Sequence, residues 1–244
     1  IAPPPPRAVA TATHSEPPAI DVRAEVRRRL SAGVPLIGLD LRGASLDGLS
    51  FRSAKLLGLN LAGARLNGAD LSNADLRGAC LDDAVLDGAM LDGVLLANAT
   101  LERASIRNAS LRFAGAAHCV ASNVILDGSN LRSSDWSHAK LTSARLTRTL
   151  AQELRADGAD LSAVDLSLSQ FDGASLRGAS LRGAIFDKTS LRDADLSDAD
   201  LREVRYDVSD AVMAATKKLE AAELWAARVD PITHHYESTW SELK

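Results

Sequence analysis

The sequence predicts an all-β solenoid, and three features of residues 36–206 lead to this prediction. Every fifth residue from Leu36 to Tyr206 is large and apolar: 31 of 35 such positions hold Leu, Ile, Phe, Trp or Tyr. Ala stands two residues before these positions in 20 of the 35 repeats, and Gly or Asn stands two residues after them in 18. A fixed internal period is typical of repeat architectures, in which each repeat packs mainly on its neighbours.

The five-residue period indicates a chain that turns a corner in every repeat. It matches neither the α-helical period of 3.6 nor the β-strand period of 2. We expect the large apolar residue and the preceding Ala to point inward, because a narrow interior has room for a small second side chain. Gly and Asn then occupy the turn, because both tolerate a positive φ.

Segments such as LNGADLSNADLRGAC at 66–80 and LRDADLSDADL at 191–201 resemble the pentapeptide-repeat family, A-[DN]-L-x-x. The resemblance covers about 171 of the 244 residues. It implies a right-handed quadrilateral β-helix with four pentapeptides per coil, so that residues 20 apart stack on one face. With ~4.8 Å between coils, the rod would be roughly 40 Å long.

The implied 20-residue coil also accounts for most of the repeats in which Ala replaces the large apolar residue. Trp136 would stack between Ala116 and Ala156, and Phe171 would stack on Ala151. A large residue beside a small one avoids overpacking, which typically costs about 1–3 kcal/mol. The sequence therefore predicts that Trp136 is buried.

A second interpretation of the same positions remains open. Ala121 is not explained by a bulky neighbour. The stretches 113–125 and 149–156 could instead be bulged loops whose lengths happen to preserve the five-residue frame.

The N-terminal part of the chain divides into a linker and a short helix. Residues 1–20 contain six prolines and are interpreted as a Pro-rich linker. Residues 21–33 are predicted to form a capping helix that starts at Asp21, ends at Gly33 and has one apolar face, formed by Val22, Val26 and Leu30. Because the chain begins with Ile, we expect a fragment or processed form of a larger protein.

After the repeat domain at 34–208, residues 209–229 are predicted to form a second helix, followed by an irregular tail at 230–244. The apolar residues of this helix are spaced alternately by three and four, which is a narrow seam. Either the helix caps the last coil, or it also forms a homodimer, as quinolone-resistance members of the resembled family do. The candidate dimer seam is Val212, Ala215, Leu219, Ala222, Ala226 and Val229.

No catalytic constellation is recognisable, so we predict a protein that is not an enzyme, with neither cofactor nor metal. Ser and Asp are abundant but occupy outward repeat positions. His118 and His138 are 20 residues apart and should stack at successive turns. Two His residues are too few for a structural zinc site, which takes four ligands.

The cysteines and the hydropathy pattern bear on the cellular compartment. Cys80 falls at an outward position and Cys119 at an inward one, so no disulfide is expected between them. No apolar run reaches 18 residues, which argues against a membrane span. Arg outnumbers Lys by 22 to 6, which is typical of a GC-rich bacterial genome. We expect a cytoplasmic bacterial protein.

Surface charge bears on one function that the family resemblance implies. Quinolone-resistance members of the family act as acidic mimics of duplex DNA on type II topoisomerases. Residues 36–206 contain 22 acidic and 19 basic residues, a net charge of −3. One outward column is nevertheless a candidate acidic column, formed by Asp47, Asp87, Asp127, Asp187 and Asp207.

Outward apolar residues suggest a different surface. An exposed apolar belt can be a partner site, although small hydrophobic residues are also tolerated singly. The candidate partner surface is Cys80, Val85, Met90, Leu95, Phe113 and Ile125.

These features together predict a non-enzymatic protein-binding scaffold that binds no nucleic acid directly. The order of Pro-rich linker, Arg-rich helix and LDLRGASLDG resembles bacterial pentapeptide-repeat segments associated with type VI secretion, which implies an adaptor. The alternative is a DNA mimic that binds and inhibits or protects a type II topoisomerase.

Overall fold

The computed structural model describes residues 21–205, which form one helix, α1 (Val22–Ser31), followed by a continuous β-solenoid. Its strands are reduced to single bridge residues, one in each pentapeptide from Ser45 onward. The bridges are all parallel, run from Ser45↔Arg65 to Ile185↔Arg205, and always join residues 20 apart. Each coil therefore contains four pentapeptides, and residues in register from coil to coil form columns along the rod.

Each pentapeptide uses its backbone in the same way. The Leu66 N–H donates to Val85 O in the next coil at 2.7 Å, and the Val85 N–H donates back to Ala64 O at 2.9 Å. At the corner between this repeat and the next, the Ala69 N–H donates to Leu66 O at 3.0 Å. The turn places Gly68 at φ 60°, in the left-handed region that costs glycine little.

The interior is a column of large apolar and small side chains. Every fifth residue from Leu36 to Leu201 is buried, and Trp136 is only 1% exposed. Ala116 and Ala156 are buried too, which confirms the predicted burial of the large residue in register with two small ones. Only a cavity of about 10 Å³ remains beside Trp136 and Ala156.

The bulged-loop interpretation of 113–125 and 149–156 is wrong. Both stretches keep the regular bridges, including Leu95↔Gly115, Ser105↔Ile125 and Asn130↔Leu150. The Ala substitutions are tolerated inside regular coils because the cross-coil hydrogen bonds depend on the backbone and not on the side chain.

Hydroxyl groups replace the small apolar residue at several interior positions. The Ser129 hydroxyl donates to Ile106 O at 2.5 Å and accepts from the Ala109 N–H at 3.0 Å. It thereby satisfies a buried backbone donor of the neighbouring coil. Within residues 21–205, no buried side-chain nitrogen or oxygen lacks a partner. The buried hydroxyls at this repeat position are Ser129, Ser134, Thr149, Ser169 and Thr189.

Helix α1 packs on the first coils and lies within the range predicted from the sequence. Asp21 accepts from the Ala24 N–H at 3.1 Å at its start, and Gly33 follows its end at φ 65°. Val26 is fully buried in the core. Arg23 donates to the backbone oxygens of Ser45 and Asp47.

The predicted linker at 1–20, the predicted helix at 209–229 with its seam, and the predicted tail lie outside the described residues. The described residues include no helix with the length and hydrophobicity of a membrane span.

Candidate protein-binding groove

The coil geometry distributes the predicted apolar surface over the whole circumference of the rod. Cys80, Val85, Met90 and Leu95 are bridge residues of four successive pentapeptides, so each lies on a different face. Ile125 lies one face away from Phe113. The six residues therefore do not form one continuous patch, because one coil passes through all four faces in 20 residues.

Two members of that set do come together. Met90, 48% exposed, and Phe113, 66% exposed, line one open groove of about 440 Å³. It is called the Phe113 groove below. The other lining residues are Arg52, Ser72, Asn73, Asp92, Gly93 and Arg112.

Phe113 is held in an unfavourable backbone conformation. It occupies the turn position of its pentapeptide at φ 59°, where the repeat mostly has Gly or Asn. A left-handed conformation costs an ordinary residue about 1–2 kcal/mol. Because most of the ring is exposed, burial of the side chain does little to offset this cost. Among the described residues, the other large exposed apolar side chain at a left-handed turn is Leu168, at φ 64°.

Gly93 creates the space below the Phe113 ring. It stands in the same column, one coil after Asn73 and one coil before Phe113. A β-carbon at Gly93 would lie 2.5 Å from Asn73 Oδ1, so a side chain there would displace the amide. The groove therefore depends on a glycine between two larger turn residues.

The two arginines of the groove differ in how closely they pair with a carboxylate of the rod. Arg112 donates through Nε to Asp92 Oδ2 at 3.0 Å, and its Nη2 donates to the same oxygen. Burial raises the pKa of Asp92, but hydrogen bonds from Arg112 and Ser110 lower it by more, so the net pKa falls below its usual value. Arg52 is mostly exposed, and its Nη1 lies 3.7 Å from Asp70 Oδ2, longer than a hydrogen bond.

The candidate acidic column is largely neutralised by arginines from its own face. Asp47 lies 3.2 Å from Arg65, and Asp127 lies 2.7 Å from Arg145. Asp87 lies 3.8 Å from Arg107 and accepts hydrogen bonds from that residue's N–H and from Ser105. Asp187 belongs to the same column, whereas Asp207 lies outside the described residues.

The two histidines stack as the sequence predicts. The His118 and His138 rings lie 5.0 Å apart at 14°, and both residues are exposed. A β-carbon at Gly158 would lie 2.7 Å from His138 Nδ1, so the glycine leaves room for the ring. In the described part of the chain, no group of three or more His, Cys, Asp or Glu side chains could hold a metal ion.

The cysteines occupy the predicted sides of the wall. Cys80 is half-buried, Cys119 is buried, and both are free thiols. Burial raises the pKa of Cys119 to about 12, which makes it a poor nucleophile.

Sequence reasoning missed Arg52, Gly93 and Arg112 as groove residues. The signal for them is the 20-residue register, because Arg52, Asp92 and Arg112 share one column with Ser72, and Phe113 shares the adjacent column with Gly93. The groove residues come from several coils, so a single coil of the sequence does not contain them all.

Comparison with known families agrees with this geometry. A family model described as "Pentapeptide repeats" matches in eight copies and covers more than half of the chain. The chain belongs to the pentapeptide-repeat family. The matched residues are 36–73, 44–83, 54–91, 79–114, 109–148 and 169–205.

Solved structures of pentapeptide-repeat proteins match the chain. A trypsin-treated variant of QnrB1, a plasmid-mediated fluoroquinolone resistance protein, matches with a TM-score of 0.50 at 16% identity, over 82% of this chain and 96% of QnrB1. HetL, involved in heterocyst differentiation regulation in Nostoc sp. strain PCC 7120, is 29% identical over 75% of this chain and 85% of HetL, with a TM-score of 0.35. No curated protein matches the chain in sequence. Family membership implies a right-handed β-helix solenoid.

Proposed function

We propose that this pentapeptide-repeat protein is a non-enzymatic scaffold that binds a partner protein at the Phe113 groove. The observation that carries the proposal is the exposed Phe113 ring, held at φ 59° beside the exposed Met90. A turn that most repeats build with Gly or Asn here carries an aromatic residue at a cost in backbone energy. Every turn of the described coils has a positive φ, including those that carry Arg103 or Lys188, so the exposed aromatic ring is what distinguishes Phe113.

The composition of the groove supports a protein partner. Aromatic residues, Met and Arg are enriched at protein interfaces, and Phe113, Met90, Arg52 and Arg112 supply all three kinds. The flexible thioether of Met90 can adapt to the shape of a partner side chain. The regular coils below hold these residues on a rigid support.

Site-specific photocrosslinking tests the proposal. p-Benzoylphenylalanine incorporated at position 113 should capture a discrete partner from a lysate of the source organism. The matched control carries the same group at position 168, which is also an exposed left-handed turn position but lies on another face. Equal capture at both positions, or none at 113, contradicts the proposal.

The sequence resemblance of residues 1–48 supports a type VI secretion component as the first partner to test. In that case the rod would be the adaptor part of a secretion system. Capture of a secretion spike or effector protein at position 113 supports this assignment, and capture of an unrelated protein contradicts it while leaving the scaffold function intact.

The pairing of surface charges weighs against the alternative, a DNA mimic acting on a type II topoisomerase. Duplex DNA carries one negative charge per ~1.7 Å, so a rod of roughly 40 Å would have to present about two dozen. Residues 36–206 have a net charge of only −3, and the candidate acidic column is paired with arginines. Potent inhibition of gyrase supercoiling by the purified chain at low micromolar concentration would reverse this ranking.

We further propose that the predicted helix at 209–229 forms a homodimer through its seam. Leu219 stands at the centre of the apolar spacing, so Leu219→Glu should place two like charges in the contact. Light scattering should then report a monomer for the variant and a dimer for the unchanged chain. A monomer in both cases removes the proposal.

A further inference from the structure

The groove combines an apolar part and a charged part, and we infer from this that it binds an extended, acidic peptide segment of the partner protein. The segment would present an aromatic or aliphatic side chain to Met90 and Phe113, and a carboxylate to Arg52. This inference rests on the proposed scaffold function and specifies the chemistry of the partner.

The apolar part of the site is formed by two side chains from different coils. Met90 and Phe113 stand more than one coil apart along the rod, and Gly93 leaves the space between them open. An apolar side chain that enters this space removes exposed surface of both residues from water. Burial of apolar surface of this kind is the main favourable term in most protein association.

The charged part of the site is Arg52. Arg112, the other guanidinium of the groove, is occupied by Asp92 through two donors. Within residues 21–205, Arg52 has only the long contact to Asp70, whose Oδ1 already accepts from the Ser72 N–H at 3.0 Å. An exposed guanidinium offers planar, paired donors that match a carboxylate. Charge complementarity therefore favours an acidic segment over a basic one.

The direction of the groove favours an extended chain. The lining residues from Arg52 to Arg112 belong to four successive coils, so the groove runs along the rod for roughly 14 Å at ~4.8 Å per coil. An extended chain covers this length in about four residues at ~3.3 Å each. Residues two apart in an extended chain point to the same side. The apolar side chain and the carboxylate of the partner should therefore be two or four residues apart, which spans about 7 or 13 Å.

A phage-displayed library of random dodecapeptides, selected on the full chain, tests the chemistry directly. We expect the enriched sequences to combine Phe, Leu, Ile or Trp with Asp or Glu two or four residues away. Enrichment of basic or purely apolar sequences, or no enrichment, overturns the inference.

Affinity measurements on a fluorescein-labelled peptide made from the best-enriched sequence assign the two parts of the site. Arg52→Glu and Phe113→Ser should each weaken binding at least tenfold in fluorescence anisotropy, whereas Leu168→Ser should not. Replacing the peptide carboxylate by Lys should restore binding to the Arg52→Glu protein. A peptide that binds all four proteins equally overturns the assignment. Thermal unfolding of each variant verifies that the rod is intact.

Two other occupants of the groove, the chain's own tail and a second copy of the chain, would be distinguished by further measurements. A synthetic peptide of residues 234–244 that competes for the groove would identify the chain's own tail as the occupant. Self-association that is lost in Phe113→Ser would identify a second copy. Either result overturns the inferred partner segment. Photocrosslinking of a partner at position 113, combined with non-acidic selected peptides, would preserve the scaffold function and remove only the peptide chemistry.

Discussion

The indole Nε1 of Trp136 donates a hydrogen bond to the hydroxyl oxygen of Ser134, two residues earlier, at 3.0 Å. Ser134 in turn donates to Leu131 O at 2.5 Å, and both Ser134 and Trp136 are 1% exposed. The rod therefore accommodates its largest interior side chain in two ways. Ala116 and Ala156 leave room for the ring, and the hydroxyl satisfies its only polar group.

Removal of that hydroxyl should destabilise the rod. Ser134→Ala leaves the buried indole N–H without an acceptor, at a cost of about 1–3 kcal/mol in the free energy of unfolding. Urea denaturation followed by circular dichroism measures the loss. Ser122→Ala is the control, because Ser122 is at the wall surface and its hydroxyl makes no hydrogen bond within residues 21–205. Equal stability of the two variants would contradict the role of the Ser134 hydroxyl.

Gly93 should be needed for binding, beyond its effect on stability. Gly93→Ala puts a β-carbon into the groove at φ 67°, 2.5 Å from Asn73 Oδ1. Gly88→Ala has the same strain at φ 68° but meets nothing within 4 Å. Both variants should lose about 1–2 kcal/mol of stability to the left-handed backbone.

Only Gly93→Ala should weaken binding of the selected peptide, by severalfold in fluorescence anisotropy. A similar loss of affinity in Gly88→Ala would show that general destabilisation is responsible and that the shape of the groove is not.

Phe113 should lower the stability of the rod while it contributes to binding. Asn tolerates the left-handed region better than Phe, so Phe113→Asn should raise the free energy of unfolding by about 0.5–1 kcal/mol. Leu168→Asn, at φ 64°, should give a similar gain. Thermal unfolding measures both.

Binding of the selected peptide should be lost in Phe113→Asn and retained in Leu168→Asn. A Phe113→Asn protein that is less stable than the unchanged chain would show that the ring contributes to folding, and would contradict a role in binding alone.

The two cysteines should react very differently with iodoacetamide. Cys119 is buried and its pKa is raised to about 12, so it stays protonated even at pH 10, whereas an ordinary thiol with a pKa of about 8.5 would be ionised. Mass spectrometry should therefore find the label on Cys80 alone in the native protein, and on both residues after unfolding in guanidinium. Labelling of Cys119 in the native protein at pH 8 would indicate local opening of the wall.

The five-residue period was sufficient to predict the solenoid and the inward positions, because each repeat contributes its Leu to the interior whatever its outward residues are. The same pattern predicted the burial of Trp136 once a coil of four repeats was assumed. The substituted hydroxyls were visible as departures from Ala. Their partners were not, because the acceptor of Ser129, Ile106 O, lies in the preceding coil and the sequence does not specify hydrogen-bond geometry.

The tertiary structure alone decided which outward residues share a surface. Arg52, Met90 and Phe113 are distant in the chain and converge because coils stack in register, whereas Cys80, Val85, Met90 and Leu95 are close in the chain and diverge because the chain turns a corner between them. Charge pairing also depends on stacking, as for Asp127 and Arg145. The sequence by itself determined the period, and hence the interior. The stacking of coils determined the groove on the exterior, because outward side chains such as Met90 and Phe113 share a surface only through adjacent coils, whereas pairs such as Asp75 and Arg77 lie within one repeat.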